Sequence, residues 1–221
     1  MFDLCLVTDE KLCLGKSLFH VIERAVGGGV TMVQLREKNL STKEFVIKAL
    51  KIKVILKPFN VPLIINDRID IALAVNAEGV HIGQNDIPFE LARKIIPQSM
   101  LLGLSVENLA QVKEAEAYKV DYLGVSPVFS TPSKTDITSH WGLDGLRELR
   151  KVSSHKLIAI GGINASNAES VIKAGADGIA VISAICSAAE PMETSSELFQ
   201  IIQNAKVMRD GETRDCGTMR R

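Results

Sequence analysis

The segment from Leu63 to Pro88, LIINDRIDIALAVNAEGVHIGQNDIP, sets Asp67 and Asp86 just after two short apolar runs. If those runs are neighbouring parallel strands, both acids leave the sheet at one edge. Two carboxylates so placed can hold a divalent cation such as Mg2+, which prefers hard oxygen ligands and often shares them with a substrate phosphate. The same residues also suit a plainer role, each Asp capping the helix that follows, before Ile69 and before Pro88.

Gln34, Arg36 and Lys38 form a second group. Alternate residues of an extended segment share a side, so these three stand apart from Leu35 and Glu37 and offer donors to an anion or a heterocycle. Asn66 and Ser105 also follow apolar runs. The polar loop SPVFSTPSKTD carries Thr131, Ser133 and Lys134, and the lysine either stays solvated or closes on a phosphate as a mobile point charge. Gly161-Gly162 and Ile182-Ser183 either bring backbone N–H groups close to a phosphate or merely make tight turns. His81 has no carboxylate or nucleophile beside it in sequence and reads as structural, while His140 and Trp141 read as packing beside the loop.

Eight apolar runs precede these positions, at 4–7, 32–35, 63–65, 79–82, 101–104, 122–125, 157–160 and 178–182. Most are separated by segments of helical period, as where Leu18, Val21, Ile22, Ala25 and Val26 share a face ahead of the Gly27-Gly28-Gly29 stop. Ser41 with Glu44, Ser166 with Glu169 and Thr194 with Glu197 have the spacing of capping boxes. Unbroken apolar strands alternating with helices predict an α/β fold with a parallel sheet covered on both faces. Eight such units predict a closed (β/α)8 TIM barrel, a single domain over residues 1–206; an open doubly wound sheet is the other arrangement. The barrel would gather all the polar groups above at the carboxyl ends of its strands, where this fold places its active site.

With 221 residues, 46% of them hydrophobic, the chain can bury a sizeable core. Its 26 basic residues balance 26 acidic ones, and no basic stripe interleaves with aromatics, which argues against nucleic acid or an anionic membrane as a partner. No apolar run is long enough to span a bilayer, and MFDLCLVTD reads as a strand rather than a leader, so a cytoplasmic location is expected. Cys5, Cys13, Cys186 and Cys216 form no CxxC pair, and Cys5 and Cys186 read as buried, reduced thiols. The tail, residues 207–221, lacks apolar periodicity and is expected to be disordered.

VQLREK at 33–38, INDR at 65–68, GVHIGQND at 79–86, GLSV at 103–106, PVFSTPSK at 127–134 and AIGGI at 159–163, in this order, resemble the thiamine phosphate synthase family across residues 4 to 205. The resemblance implies a Mg2+-dependent transferase that joins 4-amino-5-hydroxymethyl-2-methylpyrimidine diphosphate to 4-methyl-5-(2-phosphoethyl)thiazole by dissociative substitution, giving thiamine phosphate and diphosphate. It implies that Gln34, Leu35, Arg36, Glu37, Lys38, Asn66, Ser105 and Lys134 bind the pyrimidine diphosphate, with Arg36, Lys38, Ser105 and Lys134 catalytic. Asp67 and Asp86 would hold Mg2+, and Thr131, Pro132, Ser133, Gly162, Ile182 and Ser183 would bind the thiazole phosphate. Two positions depart from the family pattern: Ser133 replaces a second Thr and keeps the hydroxyl, and Ser126 replaces a Gly and adds a side chain at the root of the loop. The related thiazole tautomerases share the barrel, but an isomerase has no diphosphate to anchor with Arg36, Lys38, Lys134, Asp67 and Asp86. A non-catalytic sensor of thiamine phosphate leaves the full charged set equally unexplained.

Overall fold

The computed structural model describes residues 1–130 and 140–218, with side chains through residue 211. The apolar runs are parallel strands β1 (Leu4–Val7), β2 (Met32–Leu35), β3 (Leu63–Asn66), β4 (Gly79–Ile82), β5 (Leu101–Val106), β6 (Tyr122–Val125), β7 (Leu157–Ile160) and β8 (Gly178–Val181), closed into a barrel in chain order. Outside lie α1 (Leu18–Gly27), α2 (Thr42–Leu56), α3 (Ile69–Ala74), α4 (Phe89–Ile95), α5 (Leu109–Ala115), α6 (Gly142–Val152), α7 (Ala168–Lys173), α8 (Ser183–Cys186) and α9 (Pro191–Thr218). The closed sheet is the expected TIM barrel, and the open doubly wound alternative falls.

Strand parity decides where each side chain goes, because successive residues point to opposite faces. Leu6, Val33, Leu35, Leu63, Ile65 and Val80 face the helices in the outer core. Cys5, Val7, Met32, Ile64, Tyr122, Ile158 and Ala180 plug the barrel interior. Burial on both faces is why the strands read as unbroken apolar runs.

The capping box forms at α2, where Ser41 Oγ accepts from Glu44 N at 3.3 Å and the Glu44 carboxylate accepts from Ser41 N at 3.0 Å. The other two expected boxes do not form. At α7 the N-cap is Asn167, and Ser166 instead turns back on Asn164 Oδ1. Thr194 lies inside α9, which starts at Pro191, a residue preset for the first turn of a helix.

The backbone of α9 is helical through Thr218, past the boundary expected at residue 206. Polar anchors hold its described part where apolar periodicity has ended: Lys206 pairs with Asp3 at 2.6 Å, and Arg209 Nη1 donates to the Ala176 and Ile172 carbonyls at 2.8 and 3.3 Å. Cys5, Cys13 and Cys186 are buried free thiols, and Trp141 packs partly buried against the outer core.

Candidate active site

Two residues above the apolar plug, along the same inward parity, the side chains turn polar. Gln34 and Arg36 follow Met32, Asn66 follows Ile64, and Ser105 follows Gly103, while β7 and β8 continue apolar with Ile160 and Ile182. Together with Gly162 and Ser183 these residues line one cavity of about 340 Å3 at the carboxyl ends of the strands. Its wall is divided: amide, hydroxyl and cationic groups stand on one side, and aliphatic side chains with a glycine turn stand on the other. That division suits an amphipathic ring carrying an anion.

Gln34 is buried, and its Nε2 donates to Asn66 Oδ1 at 2.7 Å. The bond fixes both amides, leaving the Gln34 carbonyl as an acceptor and the Asn66 NH2 as a donor for a ligand. Asn66 also opens a γ-turn: Arg68 N donates to Asn66 O at 2.7 Å, and Asp67 between them has φ 62°. A non-glycine residue at positive φ is strained, and such strain collects at functional sites.

The strained turn brings Asp67 into hydrogen-bonding contact with Asp86. Asp67 is pushed up to about 6 by burial and then by the Asp86 charge and hydrogen bond, against the smaller opposing pull of Lys38 and Arg36. Neither acid is a helix cap. The N-cap positions of α3 and α4 are Arg68 and Pro88, and Asp86 Oδ2 accepts from Gly83 N at 2.7 Å within its own loop. A pair of carboxylates whose charge the neighbouring cations do not neutralise fits a hard divalent cation. Among the described residues there is no cluster of three or more His, Cys, Asp or Glu that could hold a metal. Asp67 and Asp86 would give a divalent cation two hard oxygen donors, a donor type that fits Mg2+.

Parity separates the expected VQLREK residues. Leu35 is fully buried in the outer core, so its side chain is turned away from the cavity. The Glu37 carboxylate pairs with Lys48 of α2 at 2.6 Å, with both side chains largely buried, and is therefore spent outside the cavity. Neither residue lines the cavity. Thr131, Pro132, Ser133 and Lys134 lie outside the described residues.

On the opposite side, Gly161 and Gly162 adopt φ 108° and 64°, which glycine alone takes at no steric cost. A Cβ on Gly162 would lie 2.8 Å from the Ser130 carbonyl, so this turn also packs on the loop after β6. Ile182 caps and Ser183 opens the short α8, in which the Ser183 and Ala184 N–H groups precede the first bonds back to the Ile182 carbonyl, from Ile185 N at 3.2 Å and Cys186 N at 2.9 Å.

His81 is a cavity residue that sequence reasoning set aside. Its Nε2 lies 2.8 Å from Ser105 Oγ and its Nδ1 lies 3.0 Å from the Tyr122 hydroxyl. Its partners come from the next two strands, through the register His81 to Gly103 to Tyr122. Inward parity was the available signal. Ser126, at the root of the loop, also lines the cavity.

The loops after the seventh and eighth strands are where enzymes of this fold take a phosphate, and across the cavity Arg36 lines the wall while Lys38, Asp67 and Asp86 stand outside the lining, with Arg36 and Lys38 acting on the Asp67 charge. The class is a barrel enzyme acting on phosphorylated small molecules. Residues 4–185 match the family model described as thiamine monophosphate synthase, and the chain belongs to that family. It is 51% identical to the thiamine-phosphate synthase of Albidiferax ferrireducens, with 90% of this chain and 91% of that one covered. With the enzyme of the same name from Vibrio campbellii the identity is 46%, and 91% and 98% are covered. Among solved structures it is similar to the thiamine phosphate pyrophosphorylase from Pyrococcus furiosus, with a TM-score of 0.85, 36% identity, and 92% and 96% of the two chains covered.

Proposed function

We propose that this cavity joins an aminopyrimidine-methyl diphosphate to a thiazole phosphate, with Mg2+, to give thiamine phosphate and diphosphate. The observation that carries the reading is the meeting, at one barrel end, of the Asp67–Asp86 pair with Arg36 and Lys38 on one side and the phosphate-type loops after β7 and β8 on the other.

The bond that breaks runs from the pyrimidine methylene carbon to the diphosphate oxygen, and its electron pair leaves with the diphosphate. The bond that forms joins that carbon to the thiazole nitrogen, whose free lone pair becomes the new bond as the ring becomes a thiazolium. No proton is removed from the attacking atom, so no general base is required. Arg36, Lys38 and Lys134 stabilise the charge that grows on the leaving diphosphate. Asp67 and Asp86 would hold Mg2+, which when bound would neutralise part of the same charge.

Gln34 and Asn66 offer a fixed acceptor and donor to the aminopyrimidine edge, and Ser105 adds a hydroxyl beside them. Thr131, Ser133, Gly162, Ile182 and Ser183 hold the thiazole phosphate, and placing the two rings in line supplies much of the remaining rate. Two small phosphorylated substrates are the partners. The enzyme works in the cytoplasm in this reading; no helix among the described residues is long and apolar enough to cross a membrane, and Cys5, Cys13 and Cys186 are free thiols.

Arg36→Ala and Lys134→Ala test the electrostatic account through steady-state turnover. Each is expected to lower kcat by about 100-fold, the usual effect of removing one preorganised charge-stabilising group. A near-normal rate would remove that residue from the mechanism.

A further inference from the structure

The buried polar chain across the barrel ends on Ser105, and its direction follows from the first link. Tyr122 is 1% exposed, and burial pushes its phenol well above the usual range, so the O–H stays intact and needs an acceptor. Its hydroxyl has a single partner among the described residues, His81 Nδ1 at 3.0 Å. A buried phenol with one partner donates to it. Nδ1 therefore carries the lone pair, and the imidazole proton sits on Nε2. Nε2 is 2.8 Å from Ser105 Oγ, so it donates to that oxygen, and the proton of the hydroxyl is turned away from His81 into the cavity that Ser105 lines.

We propose that Tyr122 and His81 are positioning residues that fix Ser105 as a hydrogen-bond donor to an acceptor atom of the pyrimidine diphosphate, either a ring nitrogen or a phosphate oxygen. The identity of that ligand rests on the function proposed above; the direction of the relay does not.

The barrel is built around this chain. His81 stacks on Tyr122 with ring centroids 5.4 Å apart and planes 28° from parallel. Gly103, the register partner of both, leaves their space open: a Cβ there would lie 2.5 Å from the Tyr122 hydroxyl oxygen and 2.6 Å from His81 Nδ1. On the next strand, a Cβ at Gly124 would lie 2.9 Å from His81 Cε1. Two adjacent strands thus lack side chains at the level where the relay crosses.

Nitrogen-resolved NMR of the His81 ring in the ligand-free protein at about pH 8 reads the tautomer directly. The proton is expected on Nε2, and a proton on Nδ1 would overturn the proposal whatever reaction the enzyme performs. Tyr122→Phe removes the donor that selects this tautomer. Its spectrum is expected to gain the Nδ1-protonated form, and kcat/KM for the pyrimidine diphosphate to fall about tenfold, the size of one lost hydrogen bond. KM for the thiazole phosphate is expected to stay unchanged, and an unaltered spectrum or an unaltered kcat/KM counts against the relay. His81→Gln, whose amide N–H can replace Nε2–H, is expected to retain more activity than His81→Leu. Equal activity in these two variants, both folded by circular dichroism, would contradict the positioning role. The wild-type spectrum decides the direction of the relay even where a variant fails to fold.

Discussion

Asp67 stands at positive φ beside a second carboxylate, an arrangement that is costly in the absence of a cation. Its carboxyl titrates near 6 in the folded chain against 3.8 ordinarily, so between those values the folded state binds more protons than the unfolded one. Stability therefore falls as pH rises through that window, and the cost is fully present above 6. Asp67→Asn removes the cost, and Asn tolerates this backbone region. In chelator the variant is expected to melt above wild type at pH 8 and to converge with it towards pH 4; a gap independent of pH would refute the coupling. Added Mg2+ is expected to raise Tm in wild type and far less in the variant. The carboxylate pair was legible from spacing after two apolar runs, but the γ-turn that presents Asp67 was not, since the local sequence carries no glycine there. Leu35 and Glu37 are the converse case. A shared string brings them to the site as a block, whereas strand parity, readable from the same residues, sends their side chains outward.

At the scale of elements, the turn after β7 joins two tasks. Gly162 lines the cavity and also packs against the loop after β6, where Phe129 N donates to Gly161 O at 3.1 Å. Gly162→Ala forces a side chain into positive φ and against the Ser130 carbonyl, so it is expected to cost about 1–3 kcal/mol of stability and to raise KM for the thiazole phosphate more than KM for the pyrimidine diphosphate. Equal effects on both substrates would detach this turn from phosphate recognition. All eight strands were legible, because burial on both faces leaves a run of Val, Ile and Leu that little else produces. Capping was less legible. Ser41 forms its box, whereas the Ser166 spacing loses to Asn164 and Asn167, whose amides close the preceding turn more tightly. Ser41→Ala is accordingly expected to lower stability by about 1 kcal/mol by denaturant melting, while Ser166→Ala leaves the start of α7 in place.

Closing the barrel pairs β1 with β8, and α9 then crosses that seam, packing on α1 and α7. Leu198, Ile202 and Ala205 bury its inner face, and the reach of Lys206 and Arg209 to Asp3, Ile172 and Ala176 extends the contact beyond the apolar stripe. Pattern reading stopped where that stripe stops, since long cationic side chains docking on distant carbonyls leave no periodic trace. Deleting the chain after Met208 is expected to cost about 1–2 kcal/mol in urea melting, the scale of charged hydrogen bonds lost at a partly exposed site, with kcat unchanged. A fall in kcat at full folding would tie the helix end to the active site. In the proposed reaction the site takes two rings and a leaving diphosphate at one end of one barrel, and the most direct test is chemical. Purified protein, the pyrimidine diphosphate and the thiazole phosphate are incubated with Mg2+ or with chelator, and thiamine phosphate is measured by mass. Product that forms with Mg2+ and disappears with chelator is the expected result, while saturable thiazole phosphate binding with no product under either condition would contradict the account.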